Sequence, residues 1–117
     1  MSTRRHSGAA VVKSSAAVFA ALGDETRLSL LARLTNREPH SIARLTEGTR
    51  LTRQAVTKHL RVLQGAGVVR CVRVGRESRF EFEPKPIDDV RKYLERVSAQ
   101  WDSALARLKS FVEREPG

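Results

Sequence analysis

The chain has 117 residues, 40% of them apolar and 5% aromatic, with a formal net charge of +9 and one cysteine. That length suits a single domain whose core is built mainly from Leu, Val and Ala. No apolar run approaches the ~20 residues that a bilayer span needs, and a lone Cys71 excludes an intrachain disulfide or a multi-cysteine zinc site, in keeping with a reducing cytoplasm.

Residues 1–13 show no sustained pattern and read as a flexible tail. Their charged start precedes a short apolar stretch, but Lys13, Ser14 and Ser15 interrupt it, so no secretory signal is read. A first helix is expected over residues 14–22, stopped by Gly23, with Ala16, Ala17, Ala20 and Ala21 small enough for another helix to approach closely. Asp24 is placed to cap a second helix, ETRLSLLARL, with Leu28, Leu31 and Leu34 facing inward. A loop around Pro39 leads to Ser41, the expected cap of a short helix, SIARLTE.

After a tight turn, Thr52 caps the helix that begins TRQAVTKHLRVL. At about 100° per residue its Arg53, Gln54, Thr57, Lys58 and Arg61 share an arc of about 140°, and Ala55, Val56, His59, Leu60, Val62 and Leu63 fill the other side. The polar face carries no acid, whereas an ordinary exposed helix mixes charge signs. Arginine can fork to guanine and glutamine to adenine. Thr52 is a cap first and a phosphate contact second. His59, in the inward arc, reads as a half-buried histidine that hydrogen-bonds the protein backbone, with a phosphate contact as the alternative.

The GAG sequence at 65–67 ends that helix. Residues 68–74 and 79–83 alternate as strands around a GRES turn, giving a two-stranded antiparallel hairpin with Phe80 and Phe82 on one face. Arg76 and Arg79 flank its tip as backbone or minor-groove candidates. Cys71 on the first strand reads as a small hydrophobe, with a redox role as the alternative. Pro84 and Pro86 close the hairpin. A long helix over 87–113 follows, with apolar residues at 87, 90, 94, 97, 101, 105, 108 and 112, close to a heptad seam.

Charge follows the same division. Residues 41–80 hold nine basic side chains against two acidic ones, a net +7, and residues 81–117 hold seven against eight, a net −1. A basic patch concentrated in the middle of the chain suits nucleic acid or an anionic surface. No nucleophile–base set or carboxylate pair has a pocket-forming context, so no enzyme is read here. The fold class expected is mainly α with a small β-hairpin: a winged helix-turn-helix of five helices and a two-stranded wing, spanning residues 14–117.

The segments ALGDETRLSLLARL, LTRQAVTKHLRVLQGAGVV and VRVGRESRFEFEP together resemble the ArsR/SmtB family of bacterial winged-helix repressors. The resemblance covers residues 16–113. It implies a cytoplasmic homodimer, on the nucleoid when bound, whose first and last helices form the interface. Val18, Leu22, Leu94, Val97, Trp101, Leu105 and Leu108 are the candidates there. It implies double-stranded DNA as partner, read as an inverted repeat by the helix at 52–64 and the wing at 68–83, with Ser41, Thr52, Arg53, Gln54, Thr57, Lys58, His59, Arg61, Arg76 and Arg79 as contacts. Where family members carry a cysteine pair for metals, this chain has Ser41 and Ala43, and its last helix has Asp88 and Asp89 but no histidine. No metal or other cofactor is therefore expected, and the effector is left open. The C-terminal WDSALARLKSFVE resembles the subgroup encoded next to START-like (SRPBCC) proteins, which has no metal site. The remaining alternatives are a ligand- or redox-responsive sensor, and a protein-interaction module without specific DNA binding.

Overall fold

The computed structural model describes residues 7–36 and 38–114. The elements are α1 (Ser7–Leu22), α2 (Glu25–Leu34), β1 (His40–Ser41), α3 (Ile42–Thr46), α4 (Arg53–Gly65), β2 (Val69–Val74), β3 (Glu77–Phe82) and α5 (Lys85–Arg114). Each start that the sequence assigned to a capping side chain is built that way. Asp24 accepts from the backbone N–H of Arg27, Ser41 from that of Arg44 and Thr52 from that of Ala55. At its other end α4 closes in a Schellman arrangement. Val68 N–H bonds to Leu63 O and Gly67 N–H to Gln64 O, with Gly67 at φ 80°.

Four departures from the sequence expectations shape the body of the fold, and a fifth lies in the wing, where β3 begins at Glu77 and not at residue 79. First, α1 begins at Ser7, so residues 7–13 of the expected tail are helical, and residues 1–6 lie outside the described residues. Ala10 and Val11 line a groove shared with Val90 and Ala99 of α5. This packing holds a turn that has little amphipathic pattern of its own. Second, α5 begins at Lys85 rather than Ile87. Pro86 sits in the first turn, where a missing N–H removes no helical bond. Third, the sheet has three strands in the order β1-β3-β2, because His40 and Ser41 pair with Phe80 and Arg79. The extended backbone that an N-cap requires (φ −73°, ψ 162° at Ser41) is already strand-like, and two residues are too few to show a period. Fourth, the inward stripe of α2 is Leu30, Leu31 and Leu34, while Leu28 is exposed. Arg27, not Leu28, occupies the first position of that stripe.

The core lies where α1, α2, α3 and α4 meet the sheet. Leu34, Leu45, Val56, Leu60, Leu63 and Val68 are fully buried, joined by Val18, Ala21, Phe80 and Val90. Val90 is the single buried residue of the 30-residue α5. The rest of that helix runs on from the body, and the molecule extends 72 Å along its longest axis.

Candidate nucleic-acid interface

Helix α4 is anchored by Val56, Leu60 and Leu63, each with no exposed surface. At about 100° per residue these three span an arc of about 60°, on the Arg53 side of the expected apolar half. The outward direction therefore passes through Lys58. Gln54 and Arg61 lie on one flank of it and Val62 on the other. Arg53, Gln54, Lys58 and Arg61 are exposed, as expected. Val62 is also exposed, at 42%, which corrects its assignment to the inward side. A methyl-bearing side chain on this face has the chemistry to pack on a thymine methyl.

Thr57 is half-buried, and its hydroxyl donates to Arg53 O at 2.7 Å. Its proton is thus committed to the helix, leaving oxygen lone pairs and a methyl toward the outside. Thr52 Oγ1 accepts from Ala55 N–H at 3.1 Å and Ser41 Oγ from Arg44 N–H at 3.1 Å, so both hydroxyls can still donate outward. His59 points inward, as expected, but to side chains rather than to the backbone. Its imidazole turns to α2, with Nδ1 at 3.4 Å from Arg27 Nη1 and 3.9 Å from Asp24 Oδ2.

The wing is a hairpin of two six-residue strands. Val74 pairs with Glu77, so Gly75 and Arg76 alone form the loop. Gly75 has φ 65°, the positive value that two-residue hairpin loops require at their first position. The loop leaves Arg76 exposed at the tip. Arg79 lies further down, and its Nε donates to Glu77 Oε1 at 2.7 Å. Arg70 is likewise held by Glu81 at 2.7 Å, a hydrogen bond that raises its already high pKa, with the Glu81 and Glu83 charges adding to it. Cys71, read as a small hydrophobe, is exposed on β2.

Among the described residues, no carboxylate lies within ion-pair distance of Arg44, Arg50, Arg53, Lys58, Arg61, Arg73 or Arg76. These cations of α3, α4, the turn between them and the wing are thus open to an external anion. Arg44, Arg50 and Arg73 were counted in the basic patch but not as site residues. The signal for Arg50 is its place in the turn just ahead of the Thr52 cap.

Residues 22–72 match a family model described as a helix-turn-helix domain. The chain is 37% identical to the HTH-type transcriptional regulator YuzN of Bacillus subtilis over 82 residues, 65% of this chain and 89% of that protein. The structure of an ArsR-like transcriptional regulator from Rhodococcus sp. RHA1 superposes with a TM-score of 0.78 at 39% identity, covering 86% of this chain and 93% of that one. The chain belongs to the ArsR family of transcriptional regulators. This ArsR-family protein is a DNA-binding winged helix-turn-helix regulator and not an enzyme. The same fold occurs at 22% identity and a TM-score of 0.61 in Mb0332 from Mycobacterium bovis, described as a homodimeric winged helix-turn-helix DNA-binding domain.

A second surface carries apolar groups outward. Trp101 is 64% exposed, and Leu94, Leu105, Leu108, Phe111 and Val112 are exposed beside it on α5, as are Val12 and Phe19 on α1. Val97 is half-buried. Val18, expected at a dimer interface, is 2% exposed, and Leu22 packs against the same core. Both are taken up within the protomer. Val12 and Phe19 are the large apolar side chains exposed on α1. No helix of the described residues is long and apolar enough to cross a membrane.

Proposed function

We propose that this ArsR-family protein is a homodimeric, sequence-specific repressor that binds an inverted repeat without a metal. The observation that carries the reading is the outward face of α4, where Lys58, Gln54, Arg61 and Arg53 stand exposed without a carboxylate partner among the described residues. In this reading α4 lies in the major groove, with Gln54 and Arg53 at base edges and Lys58 and Arg61 at bases or phosphates. Ser41 and Thr52 donate to phosphates at the edges of the motif. Arg76 touches the flanking backbone, and Arg79 does so after exchanging Glu77 for phosphate.

The second copy covers the apolar face of α5 and α1. A row of exposed apolar side chains along α5 from Leu94 to Val112 is unusual on a monomer, and alternate three- and four-residue spacing suits helix-on-helix packing. Ser41 and Ala43 offer no thiolate at the family's cysteine positions, and α5 carries no imidazole. Zinc or cadmium that released the DNA at stoichiometric concentration would remove the metal-free part of the reading.

The test is binding to DNA from upstream of the protein's own gene against random DNA, each at 50 and 200 mM salt. A dimer that neutralises about six to ten phosphates loses roughly 10³–10⁵ in affinity across that range. Its own upstream DNA should keep its preference at both salts. A flat salt response, or equal affinity for both DNAs, would defeat the proposal.

A further inference from the structure

We propose that His59 is a positioning residue of the reading helix, clamped by Arg27 to the C-terminal end of α1, and not a DNA contact. The proposal rests on the reading of α4 as the DNA-recognition helix. Arg27 has its guanidinium fixed from behind. Its Nε donates to Ala21 O at 2.5 Å and its Nη2 to Ala20 O at 3.2 Å. These are carbonyls of the last turn of α1, which have no partner within their own helix, and a cation is favoured at that end. The backbone N–H of Arg27 is held in turn by Asp24 Oδ2 at 3.0 Å. The nitrogen left over, Nη1, reaches His59 Nδ1 at 3.4 Å.

Arginine only donates, so Nδ1 must be the accepting nitrogen. The ring is then neutral, with its proton on Nε2. Asp24 Oδ2 is the farther neighbour, at 3.9 Å. An imidazolium would reverse the preference, bonding Asp24 and repelling Arg27.

The contact has a function because of what else holds α4. Among the described residues, it is the only side-chain hydrogen bond from α4 to another element; the hydroxyls of Thr52 and Thr57 bond within the helix or its cap. The remaining anchors are the aliphatic side chains of Val56, Leu60 and Leu63. Aliphatic packing is not directional and lets a helix roll by small angles. A hydrogen bond on one flank sets the roll, and with it the direction in which Gln54 and Lys58 point. Because the bracket ends on α1, it ties that direction to a helix placed at the dimer face.

The experiment is a double-mutant cycle on DNA binding with Arg27→Met and His59→Leu, alongside the imidazole ¹⁵N shifts of His59 in the wild-type protein. Each single variant should lose roughly tenfold in affinity for the operator, the loss expected for a hydrogen bond to a charged group. The double variant should lose no more than either single one, the mark of a shared interaction. Affinity for random DNA and the salt slope should not move. The shifts should show Nε2 protonated and Nδ1 bare at neutral pH. A lower salt slope for His59→Leu, with Arg27→Met binding as wild type, would make His59 a phosphate contact and overturn the proposal. Additive losses would overturn it too. If Arg27→Met does not fold, the shifts decide alone, and a proton on Nδ1 overturns the proposal. Wild-type protein that cannot tell operator from random DNA would instead defeat the functional reading, and the shifts would still test the bracket.

Discussion

Arg33 reaches from α2 to the far end of α3, where its Nη1 donates to Leu45 O at 2.6 Å and its Nη2 to Arg44 O at 2.9 Å. A five-residue helix has no carbonyl beyond the reach of its own ends, so most of its acceptors depend on outside donors. Arg33 supplies two of them and fixes α3 against α2, while Leu45 fills the core beneath. Arg33→Met keeps the aliphatic stem and removes both donors. It should lower unfolding stability by about 1–3 kcal/mol. Denaturant unfolding at constant protomer concentration reads the loss, and an unchanged midpoint would mean that water replaces the guanidinium at no cost.

Reading and holding should separate by position. Gln54→Ala removes a group able to fork to adenine from the outward face of α4. It should lower operator affinity by roughly 1–3 kcal/mol and leave random-sequence binding nearly intact. Arg76→Ala removes an unpaired charge at the wing tip. It should weaken both DNAs alike and reduce the salt slope by about one. Binding of each variant to both DNAs at two salts checks this. A loss of discrimination from the wing variant alone would place the reading element outside α4.

The features that the sequence showed most clearly are those fixed by local chemistry. Asp24, Ser41 and Thr52 precede their helices as polar caps, GAG stops α4, and the alternation around Phe80 marks the strand. What the sequence hid depends on distant partners. Leu28 and Val62 are as apolar as their buried neighbours, and only the packing of the other helices decides which side of a stripe is covered. The same holds for Val18, which an alanine-rich helix can turn either inward or toward a second copy. The roles of Arg27 and Arg33 were invisible because each satisfies carbonyls of another helix, six to twelve residues away, and no periodicity reports a capping contact of that kind.

Asp24 gives the fold a defined acid sensitivity. The hydrogen bond from the Arg27 backbone holds its carboxyl below the ordinary value of 3.8, aided by the charge of Arg27. A depressed folded-state pKa contributes stability that is fully present above the unfolded value and is lost as pH falls through the folded one. Asp24→Asn keeps a capping oxygen but does not titrate. Asp88 is also held down, chiefly by a hydrogen bond from Arg91, so both proteins lose stability in acid. The wild type should lose more than the variant as pH drops below about 4, and the two curves should run parallel at higher pH. Thermal unfolding across that range measures the difference, and parallel curves throughout would mean that the cap holds equally well without charge.

The apolar face of α5 sets the last test. Leu105 and Leu108 are 57% and 59% exposed, and neither belongs to the buried core. Glutamate at either place therefore leaves the protomer core intact and disturbs only a surface that a second copy would cover. Leu105→Glu and Leu108→Glu should each shift a micromolar solution from dimer to monomer in sedimentation, with helix content nearly unchanged. Operator binding should fall with them, since two reading helices must meet half-sites about 34 Å apart. Inserting about half a helical turn between the half-sites should mimic that loss with the wild-type protein, because the second α4 then faces the wrong side of the duplex. If the glutamate variants stay dimeric, the interface lies elsewhere. If they become monomers that still bind the full operator as tightly as the wild type, the two half-sites are not read together, and the inverted-repeat reading fails.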